Sequence, residues 1–189
     1  MTERRLFATF AAGVIISLAA CGGDSTPESV QDGLPMFEGG GGDPAIGMGA
    51  PAISGEDYSG KPSSFVPGEG RPTLLVFLAH WCGHCIAEIP RILEWDASGA
   101  VPDKLDIVGI STGATDTRDN YPPGEWLEES GWRWPVIADD EQEYRFAGLY
   151  GLTATPFLVL VGSDGKVVAR AGGEKSVAEL TELVSPIAG

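Results

Sequence analysis

Two cysteines three positions apart carry the chemistry of this chain, in the run Trp81-Cys82-Gly83-His84-Cys85. A thiolate can attack a disulfide and form a mixed disulfide, which a second thiol at this spacing resolves by exchange. The motif lies between an apolar run, Thr73 to Ala79, and a stretch of helical spacing, Cys82 to Ala97, a context that marks Cys-x-x-Cys as redox-active. At a helix N-terminus the free N–H groups and the helix dipole favour an anion, so the Cys82 thiolate is stabilised relative to the thiol. Gly83 lets backbone donors approach, and His84 can add positive charge. Cys82, the more accessible by position, is the expected nucleophile, and Cys85, one turn further on, the resolving thiol. A purely structural disulfide closes too short a loop here to remove much chain entropy. A zinc site needs four ligands, and the two histidines of the chain, His80 and His84, sit within the same short stretch, too close to complete a tetrahedron. No metal or other cofactor is expected.

The elements that position this motif follow from apolar patterning. Thr73 to Ala79 reads as a strand buried on both faces, and Leu105 to Ser111 as a second. In the helix after Cys82 the expected apolar stripe is Ile86, Ile89, Leu93 and Trp95. Further along, Glu125 to Ser130 predicts a helix, Trp134 to Ala138 a short strand and Glu141 to Tyr150 a helix. Phe157 to Val161 and Val167 to Arg170 flank Gly162-Ser163-Asp164-Gly165, a hairpin signal. Ser176 with Glu179 matches a capping box opening a last helix to about Val184. The fold class is α/β: a central mixed sheet flanked by helices, closed by a C-terminal β-hairpin and helix.

The N-terminus has different chemistry. Arg4 and Arg5 precede an apolar run from Leu6 to Ala20 that ends at Leu18-Ala19-Ala20-Cys21. The run is short for a membrane span and has the parts of a secretory signal. Its last four residues resemble the lipobox of bacterial lipoproteins, which implies lipidation at Cys21 and attachment to the bacterial cell membrane. Residues 22 to 48, rich in Gly, Pro, Ser and acids, read as a flexible spacer. The expected organisation is thus a signal over 1–20, a tether over 21–48 and one domain over 49–189. Loss of residues 1–20 removes Glu3, Arg4 and Arg5, taking the formal charge from -15 to -16. So acidic a chain cannot neutralise phosphates, and nucleic acid is excluded as a partner.

Strand, Trp-Cys-x-x-Cys, helix and a later Thr155-Pro156 together resemble the thioredoxin superfamily, and within it the TlpA, ResA and DsbE branch of membrane-attached thiol-disulfide oxidoreductases. Gly49-Ala50-Pro51 and Glu88-Ile89-Pro90 extend the resemblance over roughly Gly49 to Val184. It implies a thioredoxin fold, a cis-proline at Pro156 facing the cysteines, and a Thr155 backbone that receives a substrate peptide. It further implies a Glu88 that aids proton transfer at Cys85, a Trp81 packed beside the site, and a helix kinked at Pro90. Val76 stands where thioredoxin itself carries a buried aspartate six residues before its first cysteine. The implied activity is reduction of exported protein disulfides, including apocytochrome c cysteines, with electrons from a membrane donor. One departure bears on direction: Gly83-His84 is the dipeptide of protein disulfide isomerase, whose potential lies near about -180 mV against about -270 mV for thioredoxin. An oxidase or isomerase is therefore the alternative, and a peroxiredoxin-like peroxidase with antioxidant activity a second. The Gly-, Thr-, Asp- and Pro-rich stretch Thr112 to Gly124 is the expected specificity loop.

Overall fold

The computed structural model describes residues 33–40, 42–139 and 144–188. The expected signal segment and Cys21 lie outside these residues.

Continuous apolar runs become the middle of a five-stranded sheet because both faces are covered. The first described strands, β1 (Ile53–Glu56) and β2 (Pro62–Phe65), form a separate antiparallel hairpin. The main sheet contains β3 (Thr73–Leu78), β4 (Asp106–Ser111), β5 (Val136–Ala138), β6 (Phe157–Val161) and β7 (Val167–Gly172), in the order β5-β4-β3-β6-β7. β3, β4 and β5 run parallel, while β6 and β7 are antiparallel to their neighbours. The helices are α1 (Gly83–Ala97), α2 (Pro123–Glu129), α3 (Arg145–Leu149) and α4 (Val177–Val184), and a 3-10 turn follows at Ser185–Ile187. This is the mixed sheet with flanking helices and a closing hairpin and helix that the sequence predicts.

Period-two alternation divides the strands between two cores. Leu74, Val76 and Leu78 of β3 and Leu158 and Leu160 of β6 pack with α1 and α4. Leu75 and Phe77 of β3 and Phe157, Val159 and Val161 of β6 pack on the other face with Phe146 of α3, Ile53 and Phe65 of the hairpin, and Leu34. Each such fully buried side chain contributes about 1.5–3 kcal/mol relative to exposure.

Two sequence expectations change, and one element is new. In α1 the buried stripe is Cys85, Glu88, Ile89, Ile92 and Trp95, whereas Ile86 is 43% exposed and Leu93 only partly buried. The helix continues through Pro90 to Ala97. The β1–β2 hairpin is not apparent from the sequence, because Ile53 and Phe65 are its buried hydrophobic residues and the turn is made by Asp57, whose carboxylate accepts from the N–H groups of Ser59 and Lys61. Residues 33–40 and 42–48, expected as spacer, instead pack on the domain. Leu34 N–H donates to the Leu149 carbonyl at 2.7 Å, Phe37 N–H to Gly151 at 2.9 Å and Gly47 N–H to Val167 at 2.8 Å.

The clasp for this segment is a charge pair inside the fold. Arg170 of β7, its side chain fully buried, donates through Nε and Nη2 to the two Asp43 oxygens at 2.7 and 2.5 Å. Its Nη1 donates to the carbonyls of Pro35 (2.8 Å) and Tyr150 (2.9 Å), and the guanidinium lies 5.5 Å from the centre of the Phe37 ring. Phe37 meets Phe157 edge-on at 5.2 Å. Gly151 permits the close approach: at its φ of +66° a Cβ would stand 2.3 Å from the Pro35 oxygen.

Candidate active site

The strand β3 ends at Leu78 and the chain turns into α1 within four residues, with Cys82 as N-cap at φ -82° and ψ 114°. The turn is held by Cys82 N–H donating to the Ala79 carbonyl at 3.0 Å, and by the first helical bond, Ile86 N–H to the Cys82 carbonyl at 3.0 Å. Cys82 is 9% exposed and Cys85 is fully buried, and both are free thiols.

Their environments push them apart. Burial works against a charge on Cys82, and its thiol can donate to the Thr155 carbonyl at 3.3 Å, which favours the protonated form. Hydrogen bonds from the Thr155 side chain, the backbone and thiol of Cys85 and the backbone of His84 outweigh this and hold its pKa below the ordinary thiol value. Burial pushes Cys85 up to about 12, although the Ala79 N–H reaches its sulfur at 3.4 Å. The thiols hydrogen-bond each other, so a thiolate on Cys82 adds to the difficulty of ionising Cys85. An anion-prone sulfur with slight exposure is therefore paired with a fully buried, protonated one.

The expected residues gather around this pair. The Thr155-Pro156 bond is cis, and Pro156 is buried where β6 begins. Trp81 is half-buried, its Nε1–H donates to the Gly113 carbonyl at 2.8 Å, and Arg118 lies 5.0 Å over its ring. Gly83 is exposed at the first turn of α1. His84 is exposed, and its Nδ1 meets Glu174 Oε1 at 2.6 Å. Glu88 is fully buried on the same face of α1 as Cys85. Its Oε2 accepts from Lys175 N–H at 2.8 Å, while Oε1 is buried with no hydrogen-bond partner among the described residues. Burial raises its carboxyl above the usual range, against the Lys175 backbone bond and the charges of Arg91 and Lys175.

Several residues were not evident from the motif. His80, fully buried, uses both ring nitrogens on one loop: Nδ1 meets the Asp119 carbonyl at 2.7 Å and Nε2 accepts from Thr115 N–H at 3.2 Å. With Asn120 donating to the His80 carbonyl at 2.8 Å, it ties the loop 112–122 to the cysteine turn. That loop and Tyr144 border a cleft of about 390 Å³ that runs from Trp81 and Ala79 to Thr155. Gly113, at φ +66°, admits the Tyr144 ring, since a Cβ there would lie 2.7 Å from it. Arg91, Glu174 and Lys175 complete the surroundings. Glu174 lies ninety positions after His84, so no local pattern in the sequence reveals the pairing.

The geometry suits reversible exchange between a substrate disulfide and the thiols of Cys82 and Cys85, and comparison with known proteins agrees. The model of the AhpC/TSA family matches residues 46–170. The thiol-disulfide oxidoreductase ResA of Bacillus anthracis is 27% identical over 146 residues, covering 75% of this chain and 78% of that protein. The thioredoxin domain of a thiol-disulfide oxidoreductase from Bacteroides vulgatus superposes with a TM-score of 0.61 at 25% identity, covering 77% of this chain and 99% of that one. A thiol:disulfide interchange protein DsbE from Chlorobium tepidum shares the fold with a TM-score of 0.64 at 20% identity, over 76% and 98% of the two chains.

Proposed function

The chain belongs to the AhpC/TSA family and is a thiol-disulfide oxidoreductase of thioredoxin fold, and on that premise we propose that Cys82 and Cys85 are its working pair, used to reduce disulfides of exported proteins. The observation that carries this reading is the asymmetry of the two thiols at the start of α1: Cys82, 9% exposed, held below the ordinary thiol value, and Cys85, fully buried and pushed up to about 12.

The Cys82 thiolate attacks one sulfur of a substrate disulfide, and the other substrate sulfur leaves as a thiolate that takes a proton. Cys85 then loses its proton and attacks the Cys82 sulfur, releasing the second substrate thiolate. The protein pair is oxidised by two electrons, and the substrate becomes a dithiol. Cys85 needs a proton acceptor at that moment. Glu88, buried on the same helix face with an unpartnered oxygen and a raised pKa, is the proposed one. Thr155, preceding the cis-proline and already touching the Cys82 sulfur, offers its backbone to the substrate peptide. Trp81, Gly83 and His84 shape the approach to the sulfur and its charge.

The proposed setting is extracytoplasmic. Basic residues, an apolar run and Cys21 support export and lipid anchoring at that cysteine, with a membrane donor resupplying electrons and apocytochrome c cysteines among the substrates. When protonated, His84 favours the reverse direction, as oxidase or isomerase, because positive charge near Cys82 stabilises the reduced form.

The test is trapping. Cys85→Ser incubated with a disulfide-bonded protein accumulates a mixed disulfide at Cys82, identified by mass spectrometry, and Cys82→Ser accumulates none. Retention of exchange by Cys82→Ser overturns the assignment. Equilibration of the wild type with glutathione then sets direction: a potential well below about -220 mV marks a reductase, and one nearer about -150 mV an oxidase or isomerase.

A further inference from the structure

His84, Glu174 and Arg91 form a charged group on the rim of the candidate centre. A carboxylate can only accept, so the 2.6 Å contact places a hydrogen on His84 Nδ1 directed at Glu174 Oε1. Arg91 donates to Oε2 of the same carboxylate and also lies 3.7 Å from Glu88. The hydrogen bonds from His84 and then Arg91 hold the Glu174 carboxyl below the usual carboxylate range, so it is charged at neutral pH.

Glu174 is no loose surface group. It lies in the turn between β7 and α4, fastened on both sides. Gly173 N–H donates to the Pro156 carbonyl at 2.9 Å, Lys175 N–H to Glu88 at 2.8 Å, and Lys175 Nζ to the carbonyls of Gly172 and Gly173 at 2.6 and 2.9 Å. One turn therefore ties the cis-proline loop to α1 and presents its carboxylate to the residue between the two cysteines.

The charge has a defined consequence for redox poise. Positive charge near Cys82 stabilises the thiolate, hence the reduced pair, and makes it more oxidising. Arg91 is paired to Glu174 and Glu88, and Lys175 Nζ is bound to the carbonyls of Gly172, Gly173 and Glu174, so in this group it is His84, when protonated, that brings positive charge between the two cysteines. We propose that Glu174 is a positioning residue that holds the His84 imidazole in a paired orientation and offsets its charge, so that the Cys-Gly-His-Cys pair is poised more reducing than its dipeptide alone sets. The inference rests on the proposed pairing of Cys82 with Cys85.

The experiment is a double-mutant cycle read as the equilibrium constant against glutathione, with circular dichroism to verify folding. Glu174→Gln shifts the constant about tenfold toward the reduced form, which for a two-electron couple is about 30 mV less negative. His84→Gln in the wild type, where the charge is already offset, shifts it less than about threefold, and in the Glu174→Gln background it reverses most of the shift. The Cys82 thiolate, followed by its ultraviolet absorbance, forms at lower pH in Glu174→Gln than in the wild type. If the wild type has no reversible pair, the assignment of Cys82 and Cys85 falls first. A reversible wild type with Glu174→Gln within about twofold of it, a shift of opposite sign, or a shift that persists in His84→Gln overturns the role of Glu174. Should Glu174→Gln not fold, His84→Gln alone decides: a change of about tenfold or more shows that the charge is not offset.

Discussion

Asp43→Ala tests the clasp on residues 33–48. Arg170 has a fully buried side chain and four hydrogen bonds, two to Asp43 and two to the carbonyls of Pro35 and Tyr150. Removing the carboxylate leaves a guanidinium out of water with no counter-charge, a change that costs about 3–5 kcal/mol. Against a total stability of about 5–15 kcal/mol this is a large fraction. Asp43→Asn keeps an acceptor but not the charge and costs less, while replacing both partners with apolar residues of similar size recovers much of the loss. The assay is urea unfolding with the midpoint and slope fitted separately: the midpoint falls with an unchanged slope if the segment stays folded, and a smaller slope reports that it has detached. The clasp also responds to acid. The hydrogen bond from Arg170 holds the Asp43 carboxyl below its ordinary range despite burial. Its contribution is present above the unfolded carboxylate pKa and is lost as pH falls through the folded one. An Asp43→Ala protein within about 1 kcal/mol of wild type at neutral pH refutes the reasoning.

Two further outcomes follow from the site. Glu88 has a raised pKa, so its protonated form is favoured in the folded state and its effect on stability has the opposite sign to that of Asp43. The unfolding free energy of wild type relative to Glu88→Gln grows as pH falls from about 7 toward about 4.5, and a difference flat over that interval contradicts the buried, raised carboxyl. Gly113→Ala forces a side chain into a backbone at φ +66° and against the Tyr144 ring, costing about 1–3 kcal/mol and altering the fluorescence of Trp81, whose indole bonds the Gly113 carbonyl. Unchanged stability and emission count against the close packing of this loop.

What the sequence makes legible here follows from where the relevant contacts lie. β3 and β6 are readable because strands covered on both faces need unbroken apolar runs, and α4 because its capping box is local: Ser176 and Glu179 satisfy each other within three residues. Cys82, Cys85 and Thr155-Pro156 are legible as short motifs. The packing of residues 33–48 is not, because a Gly- and Pro-rich run has no periodicity of its own and is held by Arg170, 127 positions after Asp43. The stripe of α1 is misread at Ile86 and Ile92 because the helix buries Glu88, a charge that patterning assigns to solvent. The surroundings of His84 are invisible for the same reason as the clasp: its partner Glu174 comes from another element.

The clasp has a mechanical consequence. The segment joins the core on the face of the sheet that carries α3, whereas Cys82 and Cys85 belong to the core on the other face. Tension applied to the chain ahead of Gly33 is taken up first by the contacts of Leu34, Phe37 and the Asp43–Arg170 bond, none of which involves α1 or the cysteines. The domain thus carries a strap in its first fifteen described positions, and a pull on its leading end meets that strap ahead of the cysteine turn.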